Sequence, residues 1–113
     1  MKDNKATGFL TGIFPVVPTP LKHDESLDLI GLSRCLTFYL DSPAAGVTVL
    51  GSGGELPYLS DAEQLSVVKQ AYQCVNKAKP IIVGVNAFSV HHALDKIAAY
   101  QGMADAVMVL FTG

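Results

Sequence analysis

Residues 46–63 read GVTVLGSGGELPYLSDAE, and this stretch decides the predicted fold. Its first five residues form an apolar, β-branched run that predicts a buried strand. Ser60 and Glu63 then give the S-x-x-E pattern of a capping box, which predicts the start of a helix. A strand that leads through a glycine-rich loop into a helix is typical of parallel α/β folds.

The loop between this strand and this helix contains Gly51-Ser52-Gly53-Gly54-Glu55, called the glycine loop below. Its three glycines let the backbone turn tightly and bring its N–H groups close to a ligand. Such N–H groups suit a carboxylate or a phosphate, and Ser52 adds a hydroxyl. The loop has neither the Walker A pattern nor the GxGxxG spacing of dinucleotide-binding folds. The pattern alone leaves a plain glycine-rich turn as an equal alternative.

Strand and helix patterns alternate on both sides of this unit. Helices are predicted to begin near Asp28, Ser60 and Ser89, which are good N-cap residues. We expect the third helix to end at Gly102 and to turn Leu94, Ile97 and Ala98 inward. Apolar runs predict strands at residues 12–17, 46–50, 81–85 and 106–111.

The element order βαβαβαβ predicts a parallel sheet with right-handed crossovers. The last two runs are continuously apolar, as expected of parallel strands that are buried on both faces. Two architectures fit this order, an open doubly wound sheet and part of a (β/α)₈ TIM barrel. A complete barrel needs at least about 200 residues, so 113 residues can hold its first half. We expect one domain over residues 1–113, with residues 1–11 as a loose leader.

Composition excludes several classes of protein. The formal net charge is −2 and there is no basic run, which argues against a nucleic-acid partner. No apolar stretch reaches the roughly 18 residues of a membrane span, and no secretory signal is visible. Cys35 and Cys74 both fall in predicted helices and fit reduced residues of a cytoplasmic protein. No metal-binding spacing is present, so neither a metal nor a cofactor is expected.

Three motifs carry a resemblance to a known family. Residues 12–20, GIFPVVPTP, resemble the first strand of the dihydrodipicolinate synthase / N-acetylneuraminate lyase family. The glycine loop, followed by Leu59-Ser60 and Glu63, resembles that family's G-[ST]-[ST]-G-E…L-[ST]-x-x-E signature. Residues 80–85, PIIVGV, resemble its third strand. Order and spacing agree along residues 12–111.

The resemblance implies a TIM-barrel class I lyase, usually a homo-oligomer, in which a lysine forms a Schiff base with pyruvate or another 2-oxo acid. Ser52 and Gly53 match the two hydroxyl-bearing positions that bind the carboxylate of the 2-oxo acid. Gly53 keeps a backbone N–H but lacks the hydroxyl, which puts proton relay in doubt. Gly51, Gly54 and Glu55 would support the loop. The family's Schiff-base lysine lies on a later strand, so no catalytic residue is expected within this chain.

Lysines inside the chain offer no clear substitute for that residue. Lys69 and Lys96 are expected on polar helix faces, and Lys22 in a loop without an apolar pocket. Lys77 and Lys79 precede the third strand, which is the wrong end of a barrel for chemistry. Because long charged side chains are usually solvated, we expect none of the five to form a Schiff base.

Structural or solvent-exposed roles explain the other candidate residues. His91 and His92 are neighbours on a helix and point in different directions, so they make a poor metal pair and should be solvated. Tyr58 follows the glycine loop and could line the site or a subunit interface, although an ordinary loop position explains it as well. Phe88, in the loop after the strand at 81–85, could face a ligand. Glu55 fits a structural role in the turn better than a contact with substrate.

Two alternatives to the lyase remain open. A half barrel would leave strand edges unpaired, which favours oligomerisation or aggregation and a non-catalytic assembly or interaction module. An open doubly wound sheet that binds a phosphate is supported only by the glycine loop.

Overall fold

The computed structural model describes residues 12–51 and 59–111. Over these ranges three strands alternate with three α-helices, and the strands form one parallel sheet in the order β1-β2-β3. The predicted α/β class with parallel βαβ units is therefore confirmed. In chain order the elements are α1 (Leu29–Leu40), β1 (Val47–Val49), α2 (Asp61–Val75), β2 (Ile81–Ala87), α3 (Val90–Tyr100) and β3 (Ala106–Phe111).

All three predicted helix starts are confirmed by their caps. The Asp28 side chain accepts a hydrogen bond from the Gly31 N–H at 2.9 Å at the start of α1. Ser60 and Glu63 form both halves of the capping box at the start of α2. Ser89 caps α3, and Gly102 follows that helix with a φ of +87°. These signals could be predicted because a cap satisfies backbone groups within its own turn.

The core lies between the helices and one face of the sheet. β2 alternates its side chains, so that Val83 and Val85 are buried against the helices. Leu32 and Leu36 of α1 and Val68 of α2 join the same cluster. This packing fixes the sheet under a helical layer. None of the described helices is long and apolar enough to cross a bilayer.

Residues 12–17 do not form the predicted strand. Val16 makes one parallel bridge to Thr48 of β1. The Val17 N–H donates to the Thr48 carbonyl at 2.8 Å, and the Thr48 N–H donates to the Pro15 carbonyl at 2.9 Å. Pro15 and Pro18 have no N–H to give, so the segment runs beside β1 without a regular ladder.

The inward face of α3 differs from the prediction. Leu94 is 57% exposed and Ala98 is also exposed, whereas Ile97 is half-buried. Apolar residues alone indicated the wrong face of the helix, because one of the buried residues is a lysine. The buried residues of α3 are Ala93, Lys96 and Tyr100.

The last two strands also depart from expectation. β2 extends beyond the predicted residues 81–85 through Asn86 and Ala87. β3 has the predicted bounds but is not buried, since its last four residues are exposed. In the described part of the chain no strand pairs with the outer edge of β3. The apolar sequence of β3 therefore indicated a strand correctly and its burial wrongly.

Candidate functional site

The glycine loop begins where β1 ends against β2. Leu50 is buried and takes a left-handed φ of +58°, which is uncommon for a residue with a side chain. Its carbonyl oxygen lies 2.1 Å from the position that a Cβ on Gly84 would occupy. Only glycine at position 84 therefore lets the end of β1 pass this closely over β2.

Gly51 also occupies a space without room for a side chain. A Cβ at this position would lie 2.7 Å from Cγ2 of Thr48. This close approach fits the predicted supporting role of Gly51, which stays a prediction. Further predicted loop and site residues lie outside the described residues, namely Ser52, Gly53, Gly54, Glu55 and Tyr58.

Two cavities lie at opposite ends of the sheet. The cavity at the amino end measures about 280 Å³ and is bordered by Lys77, Lys79 and Asp105. The cavity toward the carboxyl ends measures about 250 Å³. Its lining residues come from the turn after β1 and from central and later positions of β2 and β3: Leu50, Gly51, Gly84, Val85, Asn86, Met108, Val109 and Leu110.

The carboxyl-end cavity is the better candidate for chemistry. Parallel α/β folds bind ligands beyond the carboxyl ends of their strands, where successive loops converge. At the other end, Lys79 donates from Nζ to the carbonyls of Ser42 and Ala44 at 2.8 Å each. That lysine therefore serves the backbone, in agreement with its predicted position away from the chemistry.

Lys96 contradicts its predicted place on a polar helix face. It is only 5% exposed. Its Nζ donates to Oε1 of Gln64 at 2.6 Å and to the carbonyl of Asn86 at 2.8 Å. Oδ1 of Asp61 lies 3.6 Å away. The spacing of Ala93, Lys96 and Tyr100 on one helical face was the sequence signal that could have shown this burial.

His92 is also not a solvated residue of the first turn. Its Nδ1 accepts the Phe88 N–H at 3.2 Å, and its ring stacks on Phe88 with centroids 5.2 Å apart. Its Nε2 lies 3.0 Å from Oδ2 of Asp61. An Nδ1 that accepts leaves the hydrogen of a neutral ring on Nε2, which then donates to Asp61. The His92 bond and, after it, the Lys96 charge lower the pKa of the Asp61 carboxyl.

The remaining candidates lie apart from this network. Lys22, Lys69 and Lys77 are exposed, as is His91. Among the described residues no three His, Cys, Asp or Glu side chains are grouped to hold a metal ion. Polar contacts at the carboxyl end of the sheet are thus made by residues that the sequence analysis had assigned to solvent.

Residues 9–110 match the family model described as the Dihydrodipicolinate synthetase family. The chain belongs to this family. The matched residues include the Leu50–Gly51 turn, β1, β2, all of β3 except Phe111, and Lys96 with its contacts. The resemblance drawn from the three sequence motifs is therefore confirmed, and the chain corresponds to an N-terminal part of the family's barrel.

Individual family members agree with this assignment. A 4-hydroxy-tetrahydrodipicolinate synthase of Coxiella burnetii is 29% identical over 100 residues, which cover 88% of this chain and 35% of that protein. The enzyme of the same name from Teredinibacter turnerae is 32% identical over 100 residues, with 88% and 34% covered. This chain thus spans about a third of the length of the curated relatives that it matches.

A solved structure of the family superimposes well on this fold. YagE, a prophage protein of E. coli K12 that belongs to the dihydrodipicolinic acid synthase family, was crystallised in complex with pyruvate. It matches with a TM-score of 0.81 and 27% identity, covering 88% of this chain and 34% of YagE. Its similarity supports the fold at the level of backbone geometry as well as sequence.

Proposed function

We propose that these residues form the first part of a class I lyase of the Dihydrodipicolinate synthetase family that acts on 2-oxo acids. Ser52 and the backbone N–H of Gly53 would bind the carboxylate of pyruvate or a similar acid. Preorganised donors of this kind stabilise negative charge without reorganising during the reaction. Gly51, Gly54 and Glu55 would hold the loop that carries these donors.

The observation that carries this proposal is the family match over residues 9–110. Two further observations support it. The Leu50–Gly51 turn brings the start of the glycine loop to the carboxyl end of the sheet, beside a cavity of about 250 Å³. YagE, a family member, was crystallised with pyruvate.

We further propose that this chain cannot form the Schiff base by itself. A nucleophilic lysine needs a neutral amine, which burial in an apolar pocket or a nearby cation provides. Lys96 is buried, but its Nζ donates to Gln64 and Asn86 and lies 3.6 Å from Asp61, so its surroundings are neither an apolar pocket nor a neighbouring cation. The Nζ of Lys79 is likewise engaged by two backbone carbonyls. The catalytic lysine would belong to a later strand of the barrel.

The test uses the 113-residue chain, pyruvate and amide hydrogen exchange. Pyruvate should slow exchange of the amides of residues 51–54, and inorganic phosphate should not. Ser52→Ala should weaken the pyruvate response about tenfold, because a hydrogen bond to a charged group is lost. Ser66→Ala is the matched control and should change nothing, because the Ser66 hydroxyl donates to the Ala62 carbonyl within α2 and lies outside the glycine loop.

Two results would contradict the proposal. Protection by phosphate but not by pyruvate would favour a phosphate-binding sheet. A stable mass increase after pyruvate and borohydride would mean that a lysine within this chain reacts, so the Schiff-base part would be wrong.

A second candidate function is that of an assembly module, and the exposure of β3 favours it. Met108, Val109, Leu110 and Phe111 form an exposed apolar strand. Such a strand is open to pairing with another chain. A partner could be a second copy of the chain, which would make a homo-oligomer.

Sedimentation of the purified chain tests this candidate. The expected result is association that Val109→Lys reduces, because a lysine on an edge strand opposes pairing. Phe38→Lys, on the exposed side of α1, is the control for a lost apolar surface residue. A monodisperse monomer at all concentrations would exclude the assembly module.

A further inference from the structure

A chain of polar contacts joins α3, α2 and β2 at the carboxyl end of the sheet. Lys96 of α3 donates both to the Asn86 carbonyl of β2 and to the Gln64 side chain of α2. The Gln64 amide in turn donates from Nε2 to the Leu59 carbonyl at 3.0 Å. Leu59 is the first described residue after the segment 52–58. One buried ammonium thus links the strand end to the point where the chain enters α2.

Stability alone is a poor reason for a lysine here. A buried ammonium loses its hydration, and its contacts recover that cost only with good geometry. The first turn of α2 also presents the positive end of its dipole, which disfavours a nearby cation. The carboxylate of Asp61 offsets part of this repulsion at 3.6 Å, although its side chain is itself largely exposed. An apolar side chain packed beside Ala93 and Tyr100 would avoid these costs.

The buried lysine instead fixes the position of the chain at Leu59, after the glycine loop. The entry to the glycine loop is fixed by the passage of Leu50 over Gly84. The exit, at Leu59, is fixed to β2 through Gln64 and Lys96. The residues on both sides of the segment 52–58 are therefore held in place by contacts with β2.

We propose that Lys96 is a positioning residue for the 2-oxo acid site, acting through Gln64 and Leu59 on the exit of the glycine loop. The inference rests on the proposed function for what the loop binds. The link from Lys96 through Gln64 to Leu59 depends only on contacts between described residues. It does not make Lys96 a catalytic residue, because nothing places its Nζ against substrate.

The experiment compares Lys96→Met with Lys69→Met in the 113-residue chain, well below the melting temperature of both. Lys69 is an exposed lysine of α2 and provides the matched loss of charge. Lys96→Met should speed hydrogen exchange of the Gln64 backbone amide about tenfold. This backbone N–H donates to the Ser60 carbonyl. The substitution should also weaken pyruvate binding several-fold, while the amides of Val83 and Val85 keep their protection. Lys69→Met should change none of these.

A second variant separates positioning from folding. Gln64→Ala removes the link to Leu59 and leaves Lys96 bound to Asn86, so the pyruvate response should weaken as in Lys96→Met. If both variants lower the melting temperature but bind pyruvate as tightly as the wild type, the residues are merely structural and the inference is overturned. If the wild type shows no pyruvate response, the proposed function fails. In that case the exchange rate of the Gln64 backbone amide alone tests whether Lys96 holds the start of α2 against β2.

Discussion

β2 and β3 are neighbouring parallel strands of similar composition, yet they have opposite environments. β2 reads IIVGVNA and is buried at five of its seven positions. β3 reads AVMVLF and has no buried position. The two strands pair in register from Ile82 and Ala106 to Ala87 and Phe111, so each of the six residues of β3 has a partner in β2.

The difference lies in what covers the strands. β2 is flanked by β1 and β3 and packs against the helical layer, which includes α3. β3 pairs on one edge only within the described residues. An apolar run thus indicates how much surface a strand could bury, and the rest of the fold decides how much it does bury. The registered pairs allow that point to be tested residue by residue.

The largest effect is expected at the pair Gly84 and Met108. Gly84→Ala should lower the free energy of unfolding by about 3 kcal/mol, because the new methyl group meets the Leu50 carbonyl oxygen, which is backbone and cannot rotate away. Met108→Ala on β3 should cost less than ~1 kcal/mol, since Met108 is about half exposed. Urea denaturation of both variants measures the difference. Equal losses of unfolding free energy would contradict the difference in environment between β2 and β3.

The pair Val85 and Val109 gives the next effect with the same substitution on both strands. Val85 is 1% exposed and Val109 is 42% exposed. Val85→Ala should cost about 2 kcal/mol through lost burial and a residual cavity. Val109→Ala should change stability by less than about 0.5 kcal/mol. A large loss for Val109→Ala would mean that β3 is covered in solution, for example in an oligomer.

Tyr100 reports on the helical cover over β2 as the pH rises. This side chain is 2% exposed, and burial, with a smaller effect of the Asp61 charge, raises the pKa of Tyr100 to about 12. Because the folded pKa lies above the ordinary value of 10.0, its contribution is fully present below pH 10 and is lost as the pH rises toward 12. Tyr100→Phe should remove a loss on the order of 2 kcal/mol over this range. Chemical denaturation of both proteins between pH 9 and 12 checks it, and identical slopes would contradict burial.

Asp61 should give the smallest effect, at the exposed end of the α2–α3 contact. Its pKa is lowered from 3.8, first by the His92 hydrogen bond and then by the Lys96 charge. The stabilisation is therefore present above pH 3.8 and is lost as the pH falls through the lower folded value. Asp61→Asn should cost less than ~1 kcal/mol at pH 6, because the carboxylate is largely solvated. The difference between the variant and the wild type should shrink as the pH falls below 3.8, and thermal unfolding at pH 6 and at a series of lower pH values tests this.

Sequence reasoning succeeded where the physical cause was local. Asp28, Ser60 and Ser89 cap helices with groups from their own first turn, and Gly102 takes the left-handed φ of a helix end. The alternation of strands and helices followed from local patterns of apolar residues, and the family followed from three motifs in the expected order. Each cap, strand or motif depends on residues a few positions apart, so the printed sequence contains it.

It failed where distant partners decide the outcome. Lys96 looked like a solvated residue because its acceptors, Gln64 and Asn86, come from other elements of the fold. Exposure of β3 depends on a neighbour strand and not on its own apolar run. Ser52 and Gly53, the predicted contacts to the 2-oxo acid, lie outside the described residues and stay predictions.

The sheet order β1-β2-β3 has a consequence for how the chain is synthesised. Each strand pairs with the strand that precedes it in the sequence, and β1 runs beside the segment that contains Val16. A chain that leaves the ribosome from its amino end can therefore add each new βα unit to an edge that already exists. The direction of translation and the direction of sheet growth are therefore the same for β2 and β3, each of which finds its partner within the described residues already made.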